Sequence, residues 1–144
     1  MLFKKQLISK IDEERLIKAI QNAELKTSGE IRVHIEKVCK EDALVACKKK
    51  FEELNMHETK DRNGILFFLA IESKSFAVWG DEGIHQKVTD QFWKSITDCA
   101  ISYFKQHDLM TGIEKAVEMC GEKLKIYFPI QTDDKNELSN EISY

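Results

Sequence analysis

The segment Ile65-Leu66-Phe67-Phe68-Leu69-Ala70-Ile71 is apolar at every position. An amphipathic helix would interrupt such a run at a period of 3.6 residues and a half-exposed strand at a period of 2. Bounded by Asn63-Gly64 and by Glu72-Ser73-Lys74, it predicts a short strand covered on both faces. The polar connection that follows has hairpin length, so Ser75-Phe76-Ala77-Val78-Trp79 is expected to return antiparallel beside it. Upstream, Glu30-Ile31-Arg32-Val33-His34-Ile35-Glu36 alternates strictly, which predicts a strand near a sheet edge. Its polar face, with Arg32 and His34, is expected in solvent. A helix over 42–54 joins this strand to the central one and makes a βαβ unit, whose strands are parallel and whose crossover is right-handed.

The remaining helices follow from apolar stripes. Leu16, Ile17, Ala19, Ile20 and Ala23 define a helix over about 13–25, with Asp12 as its cap and Thr27-Ser28-Gly29 as its stop. Phe92, Trp93, Ile96, Cys99, Ala100, Tyr103 and Phe104 define a second, begun by Thr89 or Asp90, and Ile113, Ala116, Val117, Cys120 and Leu124 a third. Trp79 and Trp93 lie on apolar faces and are expected to pack in the core. Pro129 closes this pattern. The expected domain is therefore 1–129, a small mixed sheet flanked by helices, with 130–144 as a disordered acidic tail.

Charge excludes some partners. Residues 1–128 hold equal numbers of acidic and basic side chains, and the net charge of −3 arises from Asp133, Asp134, Glu137 and Glu141 against Lys135. A balanced body offers no field for nucleic acid or for an anionic membrane. Lys48-Lys49-Lys50 interleaves with Leu44, Cys47, Phe51 and Leu54 at helical spacing and reads as a solvated helix face. Cys39, Cys47, Cys99 and Cys120 form no CxxC pair and are expected as reduced thiols in or beside the core. The start lacks the long apolar region of a signal peptide and no stretch approaches a membrane span, so the expectation is a cytoplasmic monomer.

The strand directions carry a functional consequence. With two parallel strands and one antiparallel return, the starts of the first two and the end of the third share one rim of the sheet. Three polar segments converge there: Thr27-Ser28-Gly29-Glu30, Asp61-Arg62-Asn63-Gly64 and Gly80-Asp81-Glu82-Gly83. Asp61, Asn63, Asp81, Glu82 and Glu30 are oxygen donors that suit a hard divalent cation, and no His/Cys spacing offers a zinc site. Both acidic segments are also ordinary turn and helix-start sequences. Arg62 can neutralise a phosphoryl group or fork onto a carboxylate such as Glu30 or Glu82.

The chain resembles the TPM domain family. The likeness is carried by Ala23-Glu24 with Thr27-Ser28-Gly29-Glu30-Ile31-Arg32-Val33, by Phe51, Leu54, Met56, Thr59 and Arg62-Asn63-Gly64-Ile65-Leu66, and by Phe76-Ala77-Val78-Trp79-Gly80-Asp81-Glu82-Gly83-Ile84. Trp93, Phe104, Gly112, Ala116-Val117, Gly121, Leu124 and Phe128-Pro129 continue it, over about residues 10–129. The family includes a thylakoid lumen acid phosphatase, a photosystem II repair protein and an accessory regulator of a receptor. The resemblance implies a Rossmann-like three-layer α/β/α sandwich, association with Ca²⁺ or, alternatively, Mg²⁺ or Mn²⁺, and phosphate-ester hydrolysis. The better-known members carry a signal peptide and often a membrane helix after the domain, and neither pattern is found in this sequence.

Two classes of function follow. As a metal-assisted phosphomonoesterase acting on a small phosphorylated substrate, the protein would use Arg62 for charge, Asp81 with the other acidic residues to hold the cation, and His57 or His85 as proton donor. Covalent phosphatase signatures (CxxxxxR, DxDxT, RHG) are absent from the sequence. As a non-catalytic, Ca²⁺-responsive module, it would hold a partner protein at the same rim.

Overall fold

In the computed structural model, which describes residues 7–130 and 139–144, the chain forms α1 (Lys10–Glu24), β1 (Glu30–Glu36), α2 (Ala43–Glu53), β2 (Gly64–Ala70), β3 (Ser75–Gly80), α3 (Glu82–His85), α4 (Asp90–Phe104) and α5 (Leu109–Tyr127). The sheet order is β1-β2-β3. β1 and β2 are parallel with Ile31 opposite Ile65, and β2 and β3 are antiparallel with Ile65 opposite Gly80. Every residue of β2 is buried, as its unbroken apolar sequence requires.

The alternation of side chains across the sheet builds two cores. Ile31, Val33 and Ile35 of β1, with Ile65, Phe67 and Leu69 of β2, pack against Leu16 and Ile20 of α1, Ile96 and Ala100 of α4, and Ile113, Ala116 and Val117 of α5. On the opposite face Leu66, Phe68 and Ala77 meet Ala46, Cys47 and Phe51 of α2 together with Met56. The fold is thus an α/β three-layer sandwich with three helices on one side of the sheet and one on the other. Burying each large aliphatic or aromatic side chain contributes about 1.5–3 kcal/mol, which makes these two contact layers the main source of stability. Trp79 packs at the margin of the α2 core and Trp93 at the margin of the other. All four cysteines are free, and burial pushes the Cys47 thiol up to about 12.

Three expectations need correction. First, α1 begins at Lys10 because Ser9 caps it, its Oγ accepting from the Asp12 N–H at 3.1 Å. Asp12 instead sits in the first turn, where a carboxylate favours the positive end of the helix dipole. Second, the polar face of β1 is not wet: Glu30 is 2 % exposed and His34 is fully buried. Third, the acidic C-terminal segment does not stay off the body. Residues 131–138 lie outside the described residues, but Ser143 pairs with β1 at His34, donating its N–H to the Val33 carbonyl (2.9 Å) and accepting from the Ile35 N–H (2.8 Å). Ile142 enters the larger core, and the Tyr144 hydroxyl bonds Glu13 of α1.

The reason is the same for the second and third corrections. An edge strand presents unpaired backbone groups, and two of those on β1, the Val33 carbonyl and the Ile35 N–H, are taken by the C-terminal segment. His34 is enclosed in the process, its Nδ1 lying 2.8 Å from Ser143 Oγ and its Nε2 2.7 Å from Glu36 Oε1. Burial lowers its pKa against the opposing pull of Glu36. Among the described residues, no helix is long and apolar enough to cross a membrane.

Candidate functional site

The three polar segments meet at one rim, and backbone hydrogen bonds hold them together. Glu30 N–H donates to the Asn63 carbonyl (3.4 Å), Asp81 N–H to that of Gly64 (2.9 Å) and Gly83 N–H to that of Arg62 (2.8 Å). The last contact explains Gly83: a Cβ there would stand 2.1 Å from the Asp61 carbonyl oxygen and 2.5 Å from that of Arg62. Both obstacles are backbone, so they cannot rotate aside. Arg62 itself adopts φ 50°, the left-handed region that costs a side-chain-bearing residue about 1–2 kcal/mol.

That strained backbone aims the Arg62 side chain at Asp81. Nε donates to Asp81 Oδ2 (2.7 Å) and Nη2 to Oδ1 (2.9 Å), a bidentate fork, while Nη1 lies 3.3 Å from Glu82 Oε1. Asp81 Oδ1 also accepts from the Glu82 N–H at 2.8 Å, so Asp81 caps α3 as well. The Asp81 side chain is 6 % exposed and that of Arg62 42 %. The carboxylate is therefore the fixed partner, and the guanidinium, with its pKa raised chiefly by the hydrogen bond to Asp81, is the outer one.

Asn63, next to Arg62 in the chain, is 1 % exposed. Its N–H donates to Thr59 Oγ1 (3.3 Å) and its Nδ2 to Ser28 Oγ (3.3 Å), which ties the second segment to the first. Its Oδ1 is buried without a hydrogen-bond partner. A buried carbonyl oxygen left unpaired costs about 1–3 kcal/mol, so this atom stands out in an otherwise bonded site. Ser28 and Thr27 are fixed from the other side by the end of α5, through Ser28 N–H to the Phe128 carbonyl (3.0 Å) and Thr27 Oγ1 to the same oxygen (2.6 Å).

The other candidates from sequence divide. Glu30 is buried at the start of β1, beside the cluster. Glu82 is exposed and reaches Arg62, and Asp61 is exposed on the loop. Among the described residues neither histidine is hydrogen-bonded to Arg62 or Asp81. His57 Nδ1 lies 3.2 Å from Glu52, and the His85 ring is tilted against Trp79 and stacked on Trp93, with centroids 5.6 and 6.1 Å away. Glu52, the neighbour of His57, also adds to the field that raises the Arg62 pKa. Among the described residues, no three His, Cys, Asp or Glu side chains come close enough together to hold a metal ion.

One residue of this rim escaped sequence reasoning. Glu24, the last residue of α1, is half-buried, and its Oε2 accepts from the Ile31 N–H at 2.7 Å. Burial, joined by repulsion from Glu30, raises its pKa to about 8 in spite of that hydrogen bond. The available signal was the turn Thr27-Ser28-Gly29, which folds the end of a helix back on the start of a strand and brings the carboxylates on either side of it into one place.

Comparison with known proteins agrees with this architecture. The TPM domain model matches residues 3–123, and the chain belongs to the TPM domain family. It is similar to the BA42 protein of the psychrophilic bacterium Bizionia argentinensis, solved by NMR, at 38 % identity with 99 % of each chain covered and a TM-score of 0.89. It also shares its fold with the N-terminal domain of cg2496 from Corynebacterium glutamicum, at 16 % identity and a TM-score of 0.64, over 82 % of this chain and 74 % of that one. No curated protein matches.

Proposed function

We propose that the rim is a binding site for a hard divalent cation, Ca²⁺ before Mg²⁺ or Mn²⁺, and that the domain works as a cation-responsive binding module. The observation that carries this reading is the buried Asn63 Oδ1, without a hydrogen-bond partner among the described residues, on the same loop as Arg62, whose guanidinium forks onto the nearly buried Asp81. An amide carbonyl and carboxylates are the donor types such ions take, and Ca²⁺ tolerates the irregular, loop-built arrangement better than Mg²⁺ does. The residues that would hold the ion are Asn63 and Asp81, assisted by Glu30 and by Asp61 or Glu82. A bound cation would supply positive charge to the Asp81 carboxylate.

Arg62 is a competing source of that charge, since its fork occupies both oxygens of Asp81. Asp81 therefore has two competing partners. Where the cation takes the carboxylate, Arg62 turns outward with all its donors free, and the rim changes from a closed ion pair to an exposed guanidinium. Anionic groups of a partner protein are the matching surface.

Phosphomonoester hydrolysis is the second reading, favoured by Arg62 alone. It ranks lower because neither His57 nor His85 is hydrogen-bonded to Arg62 or Asp81 among the described residues, and hydrolysis needs a proton donor at the leaving group. Titration of ¹⁵N-labelled protein with CaCl₂ tests the proposal. Joint shifts in 27–30, 61–64 and 80–85, weakened by Asp81→Asn, are expected. Shifts confined to the acidic residues 133–141, or equal affinity in Asp81→Asn, would refute it. Turnover of p-nitrophenyl phosphate that is lost in both Arg62→Ala and chelator would promote the hydrolase reading.

A further inference from the structure

At the opposite end of the sheet from the Arg62 rim, the β2–β3 turn, the α4–α5 turn and the start of α2 enclose a cleft of about 740 Å³. Its volume falls within the range of small-molecule sites. The wall is apolar: Leu69, Ile71 and Phe76 from the hairpin, Ile101 and Phe104 from α4, and Leu109 at the start of α5. Apart from Leu69, these side chains are only half-buried, so the wall is apolar surface left open beside the core. Phe76 and Phe104 meet edge to face, with centroids 5.3 Å apart, and form its firm base.

The mouth carries two lysines and a histidine. Lys74, Lys105 and His107 border it, all exposed, and no carboxylate lines the cleft. Among the described residues none of these three has an ion pair, a state they share with exposed lysines elsewhere such as Lys18, Lys26 and Lys87. Two of the three are held at left-handed turn positions, Lys74 at φ 53° and His107 at φ 60°. Lys74 and His107 are thus set on two separate turns that border the apolar slot.

An apolar wall with an unpaired cationic mouth is complementary to one kind of molecule, an apolar body ending in an anion. We infer that this cleft binds a free single-chain amphipathic carboxylate of medium length, with its chain against Phe76, Ile101 and Phe104 and its carboxylate between Lys74 and Lys105. A neutral or cationic amphiphile of the same length would satisfy the wall and leave the mouth uncompensated. The inference is independent of the cation site, which uses the other end of the sheet.

Decanoate below its micellar concentration is the probe, followed by NMR and calorimetry in EDTA so that the Arg62 rim does not contribute. Saturable one-to-one binding with shifts clustered in 69–76 and 101–109 is expected. Decanol should bind at least about tenfold more weakly, as should decanoate to the Lys74→Glu/Lys105→Glu variant, on the scale of losing a hydrogen bond to a charged group. Both substitutions are at exposed positions, and an unchanged melting temperature will confirm that the fold persists. Ile101→Gln, which puts an amide in the wall, should weaken decanoate and decanol alike. The inference is overturned by equal binding of decanol and decanoate, by charge reversal without effect, or by shifts elsewhere. Binding only to anionic vesicles would assign the cleft to a membrane surface instead, and a concentration-dependent dimer closing over 69–76 and 101–109 would assign it to a second copy of the chain.

Discussion

Replacing Glu24 by Gln isolates the electrostatic cost of the rim. The carboxyl moves from 4.5 in the unfolded chain to about 8 in the fold, with burial as the leading cause and Glu30 adding to it. Because the folded value is the higher one, the neutral form is favoured by folding. Stability is fully present below about pH 4.5 and is lost progressively as pH rises to about 8, after which no more is lost. At 1.36 kcal/mol per pH unit the shift corresponds to about 5 kcal/mol, and relaxation around a half-buried group reduces the expected effect to about 2–4 kcal/mol. More than half of it falls below pH 7. Gln keeps an oxygen for the Ile31 N–H and cannot ionise. Urea denaturation in EDTA should therefore give equal stability for wild type and Glu24→Gln at pH 4, and a gap of about 2–4 kcal/mol in favour of the variant at pH 9. The Glu24 side-chain ¹³C resonance should titrate with a midpoint near 8. Parallel stability curves for the two proteins, or a midpoint in the ordinary carboxylate range, would show that Glu24 is not isolated from water and refute the reasoning.

Two further outcomes are expected. Ile142→Ala should destabilise the protein by about 2–4 kcal/mol, the usual cost of truncating a buried isoleucine, measured by urea denaturation; a change under about 0.5 kcal/mol would mean that the C-terminal segment leaves the β1 edge in solution. Arg62→Ala should tighten Ca²⁺ binding by about tenfold or more, by removing the competitor for Asp81, in calorimetric titrations where Asp81→Asn weakens it. Weaker Ca²⁺ binding in Arg62→Ala would show that the fork organises the site instead of closing it.

The sequence carried the hairpin, the βαβ unit and the meeting of three polar segments at one rim, because strand burial and strand direction follow from hydrophobic period and from the handedness of a crossover. The apolar run 65–71 could be read only as a covered strand, and once it was placed the directions of its neighbours were fixed. Ser9 as the true cap of α1 was within reach, since it competes with Asp12 on nearly equal terms. What each polar residue does at the rim was decided by tertiary structure. A bidentate fork depends on a left-handed Arg62 and on Gly83 admitting the loop against α3, and neither distance nor angle is written in spacing along the chain. The same holds for Glu24, which becomes a strained carboxyl only when a helix end is folded onto a strand start. The docking of 139–144 was hidden by composition: the segment is polar on average, yet Ile142 and Tyr144 suffice because β1 offers an open row of backbone donors and acceptors whose satisfaction no average over side chains records.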